Sequence, residues 1–362
     1  KKGDTNYETE FQKFEKTLLP DTIFPESILS ETPIPYDLTA EEQREACRAL
    51  KGSILRQEIY SQDDSPKKDY PYSVSERNYT IEILQPKTEN HHAVFFVHPR
   101  ETIDYHYERN MDDPRTSHSL ILKVDNFGNV QSSASIRYGR RNADTTLSSS
   151  DRDKQTKTLA TCIENKFTNK IDLPDNYRIP LQYETISYEL TGLSNTTKRF
   201  DFSAVDDAVT NASPLPYEEK PSTGFQKRII EYVCILYRKN DLSRPMPFGF
   251  IDSMALLFET YKMALTPNLV TQVFGNRVDD TMILDGGYVN FEDVNWWIPS
   301  GKIFYSPDPG DTPDKELNFA KQHFFLPHRF EDPFKNNTIV TYDNYSLLLK
   351  ETKDSLNNVV TV

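Results

Sequence analysis

From Ile54 to Tyr138 the chain falls into short runs of β-branched and aromatic residues, SILRQEIY, YTIEIL, AVFFVHP, TIDYHYE, SLILKVD and VQSSASIRYG, separated by brief polar breaks. Residues of this type suit a pleated, half-buried surface, and the short breaks favour antiparallel neighbours. Between the last two runs lies DNFGNV (Asp125 to Val130), where Gly128 and Asn129 can take positive φ and turn one strand back on the next. A helix is predicted just before these strands. Thr39 and Glu42 form an S/T-x-x-E capping box, and Ala46, Ala49, Leu50, Ser53 and Ile54 then share one narrow face of small residues.

The pattern divides the chain into four stretches. Residues 1–36, punctuated by Pro20, Pro25, Pro33 and Pro35, read as an extended arm, and 37–140 as the β-rich region with its one helix. Residues 141–250 read as a strip of strands with long loops. In it, TLATCIENKFTN and YRIPLQYETISYELTG are strands, the stretch 192–224 is polar, and RIIEYVCILYRK (228–239) is apolar enough to be buried on both faces. In residues 251–362 the helical spacing of Met254, Leu257, Phe258, Tyr261 and Leu265 predicts a helix over 252–265, limited by Pro267. Two hairpins follow, MILDGGYVNF turning on Asp285-Gly286-Gly287 and NWWIPSGKIFY turning on Pro299-Ser300-Gly301, with Trp296 and Trp297 as core and rim of the second. The expected fold is mainly β, a continuous strip of antiparallel hairpins with two or three short helices.

Composition sharpens this. Aromatics make up 12% of 362 residues, and 23 prolines against 12 glycines favour strands with firm turns. A formal net charge of −13 argues against a nucleic-acid partner, which demands clustered Lys and Arg. Cys47, Cys162 and Cys234 are widely spaced and odd in number, so they are read as small buried hydrophobes. No apolar run reaches the roughly 18–20 residues that span a bilayer, so no membrane insertion is expected. The chain starts without Met or a signal segment and stops inside a repeat, which leads to the expectation of a piece of a longer polypeptide.

Three segments align: Asp125-Asn-Phe-Gly-Asn-Val, Asp332-Pro-Phe-Lys-Asn-Asn and Asp354-Ser-Leu-Asn-Asn-Val. Asp332 and Asp354 stand 22 residues apart, room for two strands with their turns. Units of this size bury their faces only by stacking on copies of themselves. Thr341-Tyr342-Asp343, the leucines 347–349, and Asp354 with Asn358 resemble the YD repeats of Rhs proteins; Lys335 and Asn357 replace the glycine of that pattern, and Lys is a poor residue for positive φ. The blocks DLTAEEQREACRALKGSILRQEIY (37–60), YTIEILQP (79–86), residues 93–130, YELTGL (188–193), NWWIPSG (295–301) and FFLPHRFEDPF (324–334) are similar to the middle and C-terminal regions of TcB-type insecticidal toxin-complex components, the TcdB/TcaC family. The resemblance implies a secreted shell protein. With a TcC-type Rhs partner it would enclose a cytotoxic polypeptide, to be delivered through a TcA-type pore that docks on regions outside this chain. The motif residues are then Asp125, Gly128, Asn129, Asp332, Asn336, Tyr342, Asp343, Asp354 and Asn358, a packed aromatic and turn-forming groups rather than reacting ones.

Candidates for chemistry are weak. His98, His106 and His118 with Asp104 and Glu108 are imaginable as a metal cluster but have no diagnostic ligand spacing, and hydrogen-bonded histidines on polar faces are the preferred reading. DRDKQT (151–156) reads as a solvated loop, and Asp308, Asp311 and Asp314 in DPGDTPDKE as a Pro-rich turn without calcium-loop spacing. No enzyme activity, cofactor or metal is expected. The alternative from another class is a secreted or surface Rhs-repeat adhesin that binds a glycan or receptor.

Overall fold

A capping box starts the first helix. In the computed structural model, which describes residues 18–24, 38–193, 199–222 and 224–362, α1 (Ala40–Ala49) begins where Thr39 Oγ1 accepts the Glu42 N–H at 3.3 Å and Glu42 Oε2 accepts the Thr39 N–H at 2.9 Å. Glu42 is wholly buried, and its Oε1 accepts the Lys87 N–H at 2.8 Å. Buried carboxylates persist only with such donors. The expected narrow face is partly realised: Glu42 and Ala46 are buried, but the helix ends at Ala49, and Cys47 is exposed rather than buried. The N-terminal arm lies mostly outside the described residues; in 18–24, Ile23 bridges to Thr80 through Ile23 N–H to Tyr79 O at 3.0 Å and Ile81 N–H to Ile23 O at 2.9 Å.

The chain divides into two compact units, the first made of residues 1–162, 190–212 and 223–225. In it, β1 (Arg56–Ile59), β2 (Ser73–Gln85), β3 (Val94–His106), β4 (Arg115–Val124) and β5 (Val130–Arg137) form an antiparallel meander in chain order. Along β2 the buried positions are first even (Val74, Glu76, Asn78) and then odd (Tyr79, Ile81, Ile83). The change coincides with a register shift between Asn78 and Tyr79, where Arg100 of the facing strand β3 is the extra, unpaired residue. Ile103, His118 and Ile136 pair in register across β3, β4 and β5 and are all fully buried. Two helices complete this unit, α2 (Ser149–Gln155) and α3 (Phe202–Asn211), the latter burying Val205, Ala208 and Val209. DRDKQT therefore lies in and just after a helix rather than in a loop; Ser148 Oγ caps it by accepting the Asp151 N–H at 3.2 Å. The polar stretch 192–224 likewise contains a helix that its mixed pattern hid.

In the second unit (residues 163–189, 213–222 and 226–362) the sheet order is β6 (Leu159–Phe167, entered from the first unit), β9 (Gln182–Thr191), β11 (Gln226–Arg238), β12 (Leu256–Leu265), β14 (Trp296–Pro299) and β13 (Val289–Asn290). β10 (Ser213–Leu215) adds parallel to β11, and β7 (Ile171–Leu173) with β8 (Asn176–Arg178) makes a separate ribbon. A second sheet runs in chain order through β15 (Lys302–Phe304), β16 (Arg329–Glu331), β17 (Asn337–Tyr342), β18 (Leu349–Lys353) and β19 (Val359–Thr361). Helices α4 (Pro267–Phe274), α5 (Asp280–Asp285) and α6 (Pro313–Gln322) bring the total among the described residues to six, more than expected, yet strands hold 39% and helices 16% and the fold is mainly β.

Several expectations for this unit are overturned. Residues 256–265 are a strand, because β12 is paired antiparallel on both sides, by β11 and β14, and that pairing outweighs a helical spacing of apolar residues. MILDGGYVNF is not a hairpin: Asp279 caps α5 by accepting the Met282 N–H at 2.9 Å, and Gly286 ends it. Ser300-Gly301 does not close a hairpin either, since β14 and β15 belong to different sheets; Gly301 (φ +87°) lets the chain cross where a Cβ would lie 2.2 Å from Glu331 O. DPGDTPDKE is a turn only to Thr312, which caps α6. β11 is half-buried over most of its length, with Cys234 and Leu236 to Arg238 as its buried positions. Trp296 and Trp297 are both buried, on opposite faces: Trp296 packs with Val270 and Ile283, Trp297 with Cys234, Leu236, Tyr261 and Phe291.

One buried ion pair joins the parts of this unit. Arg238 donates Nη1 and Nη2 to the two oxygens of Glu316 at 2.9 and 2.8 Å, and further to Leu242 O and Ile303 O, while Tyr305 N–H reaches Glu316 Oε1 at 2.7 Å. No described helix is long and apolar enough to cross a membrane. Glu316→Ala strands the guanidinium in the interior and is expected to cost about 3–5 kcal/mol in equilibrium urea unfolding. Removing both charges in R238M/E316L should recover most of that loss; a single variant within 1 kcal/mol of the parent, roughly the range of an exposed pair, would refute the role.

Candidate functional site

The aligned aspartates occupy the same kind of turn. Asp125 Oδ1 accepts the N–H groups of Phe127 and Asn129, both at 2.9 Å, and Oδ2 accepts Asn129 Nδ2 at 3.0 Å. Asp332 repeats this with Phe334 N and Asn336 N at 2.8 Å and Asn336 Nδ2 at 2.9 Å. Asp354 does so with Leu356 N (2.9 Å), Asn358 N (2.8 Å) and Asn358 Nδ2 (2.7 Å). In each, the Asp N–H donates to the Asn carbonyl, and the residue before Asn donates to the Asp carbonyl. That fourth residue is the left-handed one: Gly128 at φ +84°, Lys335 at +70°, Asn357 at +68°. Lys335 thus adopts the conformation its type disfavours, inside a turn that five hydrogen bonds define. Asn129, Asn336 and Asn358 serve as amide donors rather than as the positive-φ residues.

Asp343 makes a longer version. Its Oδ1 accepts Leu347 N at 2.8 Å and Leu348 N at 3.2 Å, its N–H reaches Leu348 O, and Ser346 takes φ +54°. Without an Asn at the fifth position the closure shifts by one residue, matching the bulge between Thr341 and Tyr342 in the β17–β18 register. Asp332, Asp343 and Asp354 are spaced by eleven residues, so one strand with its turn is the elementary unit; the 22-residue period counts two, and the intervening aspartate was the available signal. Tyr342 donates its hydroxyl to Pro327 O at 3.0 Å and sets its ring against His328 at 5.1 Å.

All three of these aspartates are held below the ordinary carboxylate range. The Asn336 amide is the main cause at Asp332, the Asn358 amide at Asp354, and the Leu347 N–H at Asp343. The residue two places after each aspartate, Phe127, Phe334, Tyr345 or Leu356, is an exposed apolar or aromatic side chain at the turn tip.

The structure does not bring the histidines together. His98 faces Pro99 O and Glu82, Asp104 accepts from Ser75 Oγ, and Glu108 pairs with Arg115. His118, wholly buried, sits between Glu101 (Nε2 to Oε2, 3.1 Å) and the Tyr138 hydroxyl (3.1 Å), and Asn78 exchanges two hydrogen bonds with Glu101. Phe200 N–H donates to the same hydroxyl at 3.0 Å, and burial pushes the Tyr138 phenol up to about 12. This buried chain was not foreseen, since Asn78, Glu101 and Tyr138 carry no spacing that links them. Among the described residues no three His, Cys, Asp or Glu side chains converge as a metal site requires, Asp308, Asp311 and Asp314 included.

Residues 45–181 match the family model of the insecticide toxin TcdB middle/C-terminal region. Over those residues, fewer than half of the chain, the sequence is similar to that region. No curated protein matches it in sequence. Among solved structures, a chain of the Photorhabdus luminescens Tc holotoxin pore is similar over 98% of this chain and 17% of its own length, with 18% identity and a TM-score of 0.68. A chain of the TcdB2-TccC3 complex is similar over 97% of this chain and 18% of its own, with 19% identity and a TM-score of 0.66. At such identities the likeness is one of fold, and the chain spans under a fifth of either neighbour.

Two outcomes are expected from the turns. In the matched segment, Gly128→Ala places a Cβ 3.0 Å from Phe96 Cζ at a left-handed φ and should lower stability by about 1–2 kcal/mol in thermal or urea unfolding; no change would mean the turn rearranges freely. A carboxylate whose folded-state pKa is depressed supports the fold above its unfolded value, about 4, and loses that support as pH falls through the folded value. Amide exchange at Leu356 and Asn358 should therefore quicken, after correction for intrinsic rates, below about pH 4, and at all pH values in Asp354→Ala. Unchanged protection in that variant would show the carboxylate to be dispensable.

Proposed function

We propose that this chain forms part of the wall of a β-shell in a secreted TcB-type toxin-complex component. With a TcC-type Rhs partner, that component encloses a cytotoxic polypeptide and passes it to a TcA-type pore. The role is structural: the cargo is sequestered, and no bond in it is made or broken by this chain. The observation that carries the reading is the match of residues 45–181 to the TcdB middle/C-terminal region, supported by a fold likeness to TcdB2-TccC3 over nearly the whole chain. The aspartate turns suit such a role. They hold strand after strand in register through main-chain donors, leaving the tips free to vary, and they converge on no pocket of reacting groups.

Co-expression of the gene encoding this chain with a TcC-type gene from the same genome, followed by size-exclusion chromatography with multi-angle scattering, tests the proposal. A one-to-one particle whose cargo resists added protease is the expected result. Separate elution, together with a thermal shift on adding calcium or sugars, would replace the shell by the adhesin reading.

A further inference from the structure

His328, immediately before β16, is held on both sides of its main chain, by its N–H to Phe304 O at 2.9 Å and its carbonyl from Val340 N–H at 2.8 Å. Its side chain lies 3.2 Å from Val340 O through Nδ1. A carbonyl only accepts, so Nδ1 carries the proton and Nε2 is the bare nitrogen. That Nε2 is buried and has no hydrogen-bond partner among the described residues. Aromatic rings surround it: Phe319 at 4.9 Å edge-on, His323 at 5.4 Å and Tyr342 at 5.1 Å, with His323 stacked on Phe319 at 3.9 Å and donating Nδ1 to Phe319 O.

The charged groups of the packed elements are committed elsewhere. On α6, Glu316 is bound to Arg238, and Asp314, Lys315 and Lys321 are exposed. On β16, Arg329 lies over the Phe304 ring and Glu331 pairs with Lys335 and Arg329. On β15, Lys302 faces the Phe258 ring, and on β17 Tyr342 is the one titratable side chain. The group that does face His328 is His323, a second base.

We propose that His328 is a proton-operated latch. Neutral, it closes the aromatic box that holds the Tyr342-Asp343 hairpin against α6; protonated, it carries a charge and a second N–H that nothing in the box receives, and the hairpin lets go. Burial first, and His323 second, hold the imidazole below the ordinary histidine range. For a base displaced downward, stability is complete above the unfolded value, about 6.5, and declines as pH falls toward the folded value. One proton gives about a tenfold rise in opening per pH unit within that window. The aspartate turns stay ionised there, so their response falls in a separate, more acidic range.

Hydrogen–deuterium exchange of the 362-residue chain at pH 7.5 and 5.5, corrected for intrinsic rates, tests the latch. Protection over Leu326–Tyr342 should fall at the lower pH, while β11, β12 and β14, which contain no histidine, keep theirs. His328→Phe should abolish that difference. An equal fall in the variant, or no fall in the unsubstituted chain, overturns the proposal. Should His328→Phe fail to fold, an NMR titration of the unsubstituted chain with ¹⁵N-labelled histidine decides: a His328 midpoint below about 6.5 that coincides with the loss of protection supports the latch, and one at or above it refutes it.

Discussion

Antiparallel pairing is intolerant of slippage: a shift of one residue turns every buried side chain of a strand outward. The architecture of this chain depends on preventing that shift at each reversal, and in its last sheet the means is a carboxylate that gathers main-chain N–H groups. Asp332, Asp343 and Asp354 each take two, fixing which residue ends one strand and which begins the next. Because the donors are backbone groups, the constraint acts on the fold directly and asks little of neighbouring side chains. Where the fifth-position asparagine is absent, at Asp343, the register answers with a bulge rather than a break.

The interior follows the same logic with higher stakes. Glu42, Glu101 and Glu316 are buried carboxylates, each supplied with several donors: a cap and the Lys87 N–H for the first, His118 and Asn78 for the second, a bidentate guanidinium and the Tyr305 N–H for the third. Such groups are costly unless satisfied, and satisfied ones admit few alternative packings. Glu42 and Glu316 each tie a helix to neighbouring strands or loops, and Glu101 ties three adjacent strands together.

What could be read from the chain was local. The strands of residues 56–137 follow from runs of β-branched and aromatic residues, and the α1 cap from Thr39 and Glu42, because in each case the deciding interaction lies within a few positions. The aspartates were recognisable as a family of turns because each closes over five or six residues. What escaped depends on distant partners. The apolar spacing of residues 254–265 fits a helix until β11 and β14 flank it. Trp296 and Trp297 acquire their burial from helices on one face and strands on the other. Asn78, Glu101, His118 and Tyr138 become a hydrogen-bonded chain only after strands β2 to β5 are aligned.

The turn tips read Asn-Phe-Gly, Pro-Phe-Lys, Asn-Tyr-Ser and Ser-Leu-Asn. Between the anchoring aspartate and the closing residue the first and third positions vary from turn to turn, the middle one stays apolar or aromatic, and the direction of the chain is the same. A sheet assembled this way separates its grammar from its vocabulary. Mutation can recolour the rim, changing what it sticks to or repels, without disturbing the order in which the strands are laid down.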